Sequence, residues 1–294
     1  MTVDITMPFY GDPALFREAV QSVLAQSDPD WRLIVIDDRY PDPAPGEWVR
    51  SLDDVRIRYL RNPTNLGVSG NFRRCIELAE ADFVTIMGCD DLLLPRYVER
   101  MHELIRDHVH AAYIQPGVRV VDADGRPTLP LPDRVKQWYA PRLSGPTELG
   151  GQQLATSLAR GNWTYFPSIC WRRATLVEYG FDPDLDVALD LDLQLRIVDG
   201  GGVVVVDPEA TFVYRRHGGS VSAWKANDGS RFDEERAVLD AAGRRAAAQG
   251  WKGAAVAARR RVSSRLSALS RLPAAIAGRD GAGVRSLLRH AFGA

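Results

Sequence analysis

Two pairs of adjacent carboxylates, Asp37-Asp38 and Asp90-Asp91, each follow a short apolar run, residues 33–36 and 83–87 respectively. Two acids at the exit of a strand can hold a hard divalent cation, which takes oxygen ligands and leaves positions for a diphosphate. One member of such a pair can equally cap a turn, or the helix that Pro95 opens. A carboxylate at Asp37-Asp38 can accept hydrogen bonds from a ring N–H or from ribose hydroxyls. Two such pairs at one sheet edge favour a nucleotide–metal site over two separate loop devices. Farther on, Asp186, Asp190 and Asp192 fall in and beside a stretch of helical periodicity, residues 187–198. Asp186 and Asp190 share a helix face, whereas Asp192 lies about 200° round from Asp190. Acids so placed read, by themselves, as a solvated helix face.

The elements that must position these groups are legible in the first 110 residues. Residues 3–7 read as a strand stopped by Pro8 and Gly11, after which Asp12-Pro13 supplies an N-cap and a first-turn proline. Leu15, Phe16, Ala19, Val20, Val23 and Leu24 then recur at the spacing of a helix laying one stripe on a sheet. Residues 33–36, 55–60 and 83–87 read as further strands, with a turn-rich segment at 40–46. Helices are expected over 69–79 and from Pro95 to about 107. This β-α alternation predicts an α/β fold with a mostly parallel sheet flanked by helices. Ligands of such sheets bind beyond the carboxyl ends of the strands, where Pro8–Tyr10 and both acid pairs fall. Residues 111–115, 118–121, 203–206 and 211–214 are short strand candidates, and 122–161 reads as irregular, Pro-rich chain.

The composition excludes several classes. With 294 residues, 45% hydrophobic and 26% charged, the chain is neither disordered, collagenous nor membrane-spanning in character. Cys75, Cys89 and Cys170 are far apart, indicating no disulfide framework or zinc site and fitting a reducing compartment. No secretory leader is read at the N-terminus. The net charge of −1 hides an asymmetry: after residue 240 there are eleven Lys and Arg against one acid, Asp280. An acidic body with a basic tail suggests contact with a membrane surface, a nucleic acid or an acidic partner.

The runs TMPFYGDPALFREAVQSVLAQSDPDWRLIVIDD and NPTNLGVSGNFRRCIELAEADFVTIMGCDDLLLP, followed by DLDLQLR and YRRHGGSVS, resemble a family 2 glycosyltransferase of the inverting, GT-A type over about residues 1–222. The resemblance implies a Rossmann-like GT-A domain over 1–225, with 226–294 as a basic helical C-terminal extension. It implies that Pro8 and Tyr10 pack on the nucleobase. Asp38 is then the acceptor for the N3–H of a uracil or thymine, with Asp37 behind it. Asn65, Gly67 and Asn71 match the loop and helix lining the donor pocket. Asp90 would reach ribose or metal, and Asp91 the metal; Gly88 stands where many relatives carry a first Asp. DLDLQLR implies Asp190 as catalytic base, matched with Arg196, with Asp186 and Asp192 as alternatives, and Leu189 stands where a Glu is common. Inversion needs such a group to take the acceptor hydroxyl's proton opposite the departing diphosphate. His217 matches a residue approaching the metal or diphosphate, while Arg215 and Arg216 can stabilise the leaving group or pair with the acidic body. Ser220 and Ser222 match a loop over the donor, and Trp163 falls on the acceptor side or in the core.

The implied function is transfer of a sugar from a UDP- or dTDP-sugar, with Mg²⁺ or Mn²⁺, to a hydroxyl of a glycan or lipid-linked acceptor of the cell surface. A non-catalytic nucleotide-sugar-binding scaffold is the alternative that Gly88 motivates. A sugar nucleotidyltransferase would need a Gly-rich basic phosphate loop near the N-terminus, which Phe9-Tyr10-Gly11-Asp12 does not supply. Past about residue 223 composition alone speaks. Helices are expected over 231–249, 254–272 and 284–292, with Val262, Leu266, Leu269 and Leu272 spaced among arginines. Such a basic amphipathic helix lies on an anionic membrane surface, or packs on its own domain or a second subunit of a homodimer. The expected setting is cytoplasmic, at the inner face of the membrane, with no nucleic-acid partner.

Overall fold

The computed structural model describes residues 1–217, 230–278 and 280–293. Strand β1 (Val3–Phe9) leads into helix α1 (Pro13–Leu24), which opens as its residues dictate: the Asp12 carboxylate accepts from the N–H groups of Ala14 and Leu15, and Pro13 occupies the first turn. Then follow β2 (Trp31–Asp37), α2 (Ala44–Ser51), β3 (Ile57–Arg61), α3 (Gly67–Leu78), β4 (Phe83–Ile86), β5 (Leu92–Leu93) and α4 (Tyr97–Asp107). The middle of the chain forms β6 (Ala111–Val121), α5 (Leu131–Tyr139), β7 (Thr147–Leu149), α6 (Gly151–Arg160), a 3₁₀ turn at Phe166–Ser168, β8 (Cys170–Arg172) and α7 (Arg173–Tyr179). It continues through α8 (Leu189–Asp199) and β9 (Val203–Arg215) to α9 (Ser230–Ala248), α10 (Lys252–Arg260), α11 (Val262–Ala277) and α12 (Gly281–Phe292).

The sheet runs β3-β2-β1-β4-β8-β6-β9-β5, with β7 also on β9. β1 pairs parallel with β2 and β4, β2 with β3, and β6 with β9, while β8 runs antiparallel between β4 and β6. The parallel strands therefore deliver their carboxyl ends to one edge. Period-two alternation splits β2 across both faces: Ile34 and Ile36 join the core under α3, α6, α7 and α8, and Leu33 and Val35 the core under α1, α2 and α4.

Several expectations are corrected, the first two by pairing at long range. Residues 111–115 and 118–121 are one strand, β6, and residues 203–206 and 211–214 are one strand, β9; the two bulge together at Gln115–Val118. Residues 122–161 hold two helices, α5 and α6, and a strand. The turn-rich segment 40–46 leads into an additional helix, α2. The tail helix expected over 254–272 is broken at Arg261, whose φ of 48° is left-handed and separates α10 from α11.

The C-terminal helices are not all peripheral. Val238, Leu239, Ala242 and Ala246 of α9 and Ala254, Ala257 and Ala258 of α10 belong to the same hydrophobic cluster as α6 and α8. Phe232, Ala268 and Leu287 form a small separate cluster under α11 and α12. Among the described residues of the tail, Arg236 pairs with Asp233 at 3.0 Å, Arg245 with Asp199 at 2.6 Å and Arg261 with Asp240 at 2.7 Å. Ser220 and Ser222 lie outside the described residues, as does the expected boundary at 225/226. Among the described residues, no helix is long and apolar enough to cross a membrane.

The β6–β9 bulge requires Gly117, because a Cβ there would stand 2.6 Å from the carbonyl oxygen of Pro208 and 2.8 Å from that of Glu209. Neither backbone group can give way without moving the ladder. Gly117→Ala is expected to destabilise the fold by about 1–3 kcal/mol, read as a lowered urea midpoint at unchanged slope.

Candidate active site

Each loop at the carboxyl edge is held by its own acids. Beyond the β1–β2 ladder, the N–H of Asp38 donates to the carbonyl of Phe9 at 2.9 Å, keeping the two strand ends together. Asp37, buried, accepts from the Tyr40 N–H at 2.6 Å and from the Tyr59 hydroxyl, and pairs with Arg61 at 3.6 Å. Burial, and then that bond to Asp37, hold the Tyr59 phenol above its ordinary range. Asp38 is also buried: its Oδ1 accepts from Asn62 Nδ2 at 2.9 Å and from the Leu66 N–H at 2.7 Å. Asn62 Nδ2 also donates to Asn71 Oδ1 at 3.0 Å, and Asn71 Nδ2 to the carbonyl of Ile36 at 3.1 Å. Asn71 thus braces the pocket from behind. Asn65 Oδ1 accepts from the N–H of Gly67, whose φ of +69° only glycine adopts without strain. Tyr10 is 55% exposed and meets Tyr40 edge-on at 5.7 Å, so one ring face is open at the end of β1 beside the partly buried Pro8.

The second acid pair is built differently. Asp91 is buried, and its Oδ1 accepts from the backbone N–H of Arg215 at the end of β9, 2.9 Å away. Burial, and then the charge of Asp90, push the Asp91 carboxyl well above the usual carboxylate range, partly opposed by Arg215 and Arg216. Asp90 Oδ2 lies 2.5 Å from His217 Nε2, a bond that raises the imidazole's affinity for its proton. A Cβ on Gly88 would meet Asp91 Oδ2 at 2.6 Å and Asp90 Oδ1 at 2.9 Å, so the two carboxylates converge in the space that the missing side chain leaves. This oxygen-rich donor set fits a hard divalent cation. Among the described residues, no three His, Cys, Asp or Glu side chains are spaced to cage an ion unaided. A cation here would complete its shell with ligand oxygens, as Mg²⁺ commonly does with substrate phosphates.

Arg215 and Arg216 are both committed to the protein. Arg215, buried, donates from Nε to the carbonyl of Asp90 at 2.9 Å, from Nη1 to that of Ala123 at 3.1 Å, and from Nη2 to Glu18 at 2.6 Å. Arg216 makes a bidentate pair with buried Asp133 of α5, both bonds 2.9 Å, and Tyr165 donates its hydroxyl to the same carboxylate. The expectation that these arginines reach the leaving group therefore meets guanidinium groups already spent on struts.

Asp190, half-buried, sits in the first turn of α8. Its Oδ1 accepts from the Leu191 N–H at 2.7 Å and its Oδ2 from Asn162 Nδ2 at 3.0 Å. Asn162 Oδ1 in turn accepts from the Thr164 hydroxyl at 2.7 Å, which orients the amide. Gln194 donates to that hydroxyl oxygen and to the carbonyl of Asp190, and Tyr113 donates to Gln194. The segment that enters α8 is held from the C-terminal extension: one oxygen of Glu234 accepts from the N–H groups of Asp186, Val187 and Ala188 at 2.8–3.2 Å. Asp192 is buried and paired with Arg196 at 2.7 Å, and Arg196 also donates to the carbonyls of Tyr179 and Gly180. Of the three acids, Asp192 is thereby excluded as a base facing the crevice. Trp163 is 4% exposed and donates to Ser157, so it is a core residue.

Lys136 of α5 links the two halves of the site. Its ammonium donates to the carbonyl of Thr164 and lies over the Tyr165 ring, and it feels the charges of Asp190, Arg216 and Asp133. Arg216 acts in turn on Asp91. Sequence reasoning missed Asn62, Lys136, Asn162 and Glu234; only the dipeptide Asn62-Pro63 carried a local signal, and it read as loop punctuation.

These observations define an α/β protein that gathers two acid pairs at the carboxyl edge of a mostly parallel sheet. Residues 4–171 match the profile of Glycosyl transferase family 2, more than half of the chain, and the chain belongs to that family: it is a glycosyltransferase. The succinoglycan biosynthesis protein ExoO of Rhizobium meliloti is 27% identical over 221 residues, covering 75% of this chain and 62% of that protein. A glycosyltransferase of Methanocaldococcus jannaschii, MJ1057, itself uncharacterized, is 20% identical over 67% of this chain and 64% of its own length. This chain therefore spans less than two thirds of either relative. Residues 1–349 of TarS from S. aureus, solved in complex with UDP-GlcNAc, superpose with a TM-score of 0.63 at 16% identity, covering 81% of this chain and 66% of that one. The superposition establishes the GT-A fold.

Burial lowers the Lys136 ammonium from 10.5 to about 8, against the raising effect of Asp190. The folded state then releases the proton near pH 8 while the unfolded chain keeps it to about 10.5, so this residue's contribution to stability rises with pH across that window. Relative to Lys136→Met, the wild type should gain stability between pH 7 and pH 9.5, read as the difference in urea midpoints.

Proposed function

We propose that this glycosyltransferase inverts configuration as it moves a sugar from a UDP- or dTDP-sugar to a hydroxyl of a cell-surface glycan or lipid-linked precursor, with Asp190 as base. The observation that supports the reading is a pair of acid centres built in different ways: Asp91 bonded to the end of β9, from which Arg216 reaches Asp133 of α5, and Asp190 in the first turn of α8, held by Asn162. The relatives' part in succinoglycan biosynthesis supports a polysaccharide acceptor, and the UDP-GlcNAc held by TarS supports a uridine nucleotide donor.

Asp38 Oδ1 is taken by Asn62 and Leu66, which leaves Oδ2 for a donor on the base, such as a pyrimidine N3–H. Asp37 holds the loop behind it. Pro8 and the open face of Tyr10 give the ring a stacking surface, and Asn65, Gly67 and Asn71 shape the wall. Asp90 and Asp91, with His217 beside them, would hold Mg²⁺ or Mn²⁺, whose chemistry there is to offset the charge gathering on the departing diphosphate. Asp190 takes the proton of the acceptor hydroxyl as its oxygen bonds to the anomeric carbon and the bond to the diphosphate oxygen breaks, inverting that centre. Asn162 fixes Asp190 Oδ2, and Glu234 fixes the helix end that bears it.

Asp190→Asn keeps the shape and removes the base, so transfer should fall by about 10²–10⁴-fold with UDP binding unchanged; near-wild-type turnover would exclude Asp190. Gly88→Ala should push the Asp90 and Asp91 carboxylates apart. Calorimetry should then find Mn²⁺-supported UDP binding weakened about tenfold or more, equivalent to about 1.4 kcal/mol, with the melting temperature little changed.

A further inference from the structure

Away from the crevice, a groove of about 760 Å³ runs between α5, α6 and α10, lined by Trp138, Tyr139, Arg160, Lys252, Val256 and Arg260 among others. Its volume falls in the range of a pocket for a single bound ligand. No acid lines it. Arg160, Lys252 and Arg260 are exposed and make no side-chain ion pair or hydrogen bond with a described residue, unlike Arg245 and Arg261 of the same tail. Trp138 is 77% exposed and stacks on Tyr139 with ring centres 6.0 Å apart and planes at 25°. The indole thus presents an open apolar face beside three solvated cations.

We propose that this groove binds an acidic glycan, namely the already assembled part of the enzyme's acceptor. Arg and Lys supply charge-assisted hydrogen bonds to carboxylate or phosphate substituents. The flat aromatic pair offers broad apolar faces with polar tips, suited to the mixed surface of a sugar ring. The concave form favours one chain lying in it over a bilayer, which presents a broad surface to a convex face. The groove also adjoins the segments that bound the candidate base: α5 carries Lys136 toward Asp190 and Trp138 to the groove, and α6 passes through Arg160 to Asn162, whose amide holds Asp190. The proposal rests on the reading of the acceptor as a glycan, and binding measured without turnover separates its failure from that of the base assignment.

The test uses the full chain, with a decameric oligogalacturonate as acidic probe, a dextran oligomer of equal length as neutral probe, and phosphatidylglycerol vesicles. Calorimetry should show oligogalacturonate binding that weakens with salt, and no dextran binding. Arg160→Glu, Lys252→Glu and Arg260→Glu combined should weaken it tenfold or more, with UDP binding and melting temperature unchanged, and Trp138→Ala should weaken it several-fold. Arg259→Glu, on α10 but outside the groove, should leave it intact. Wild type that ignores oligogalacturonate, a triple variant that binds as wild type, or charge reversal that abolishes vesicle binding alone would each overturn the proposal.

Discussion

Two carboxylates, Asp90 and Asp91, are brought together over the bare Cα of Gly88 while one of them is buried, and that arrangement raises the energy of the charged state. Burial of an ion is tolerated only where hydrogen bonds and opposite charge compensate it. The compensation comes from the end of β9. Arg215 gives its backbone N–H to Asp91 and its guanidinium to the carbonyls of Asp90 and Ala123 and to Glu18, so one buried side chain ties α1, the Asp90-Asp91 loop and the turn after β6 to a single point. Arg216 extends the strut to Asp133 and so brings α5 over the crevice.

The other wall depends on elements distant in the chain. The proposed base Asp190 is held in place only if the chain entering α8 is fixed, and the backbone N–H groups of that segment need an acceptor. Glu234 supplies one from α9, while Asn162, oriented by Thr164 and Gln194, fixes the carboxylate itself. The helices after residue 229 thus contribute both to the core and to the geometry of the proposed base. That packing is made by α9 and α10 through their run of buried alanines, whereas the apolar stripe of α11 leaves Val262 and Leu266 exposed.

Charge in the tail divides by what it meets. Arg245 and Arg261 answer Asp199 and Asp240, whereas the basic residues of the groove face outward together. A strongly basic segment without partners would serve electrostatic attraction generally; here the basic residues line a concavity beside the Trp138 and Tyr139 rings.

The sequence by itself determined the β-α alternation, the capped start of α1, the parallel sheet and the placing of both acid pairs at strand ends. These follow from periodicities of 2 and 3.6 residues and from caps that act over a few positions. The family motifs further singled out Asp38, Asp90, Asp91 and Asp190. Only the tertiary structure decided that Arg215 and Arg216 are struts, that Trp163 is core, that Asn62 and Glu234 hold the site together, and that β6 and β9 each run on through a shared bulge. The physical reason is distance along the chain. The Arg215–Glu18 pair spans 197 positions and the Arg216–Asp133 pair 83, and no local pattern encodes which charge will meet which once the strands have aligned.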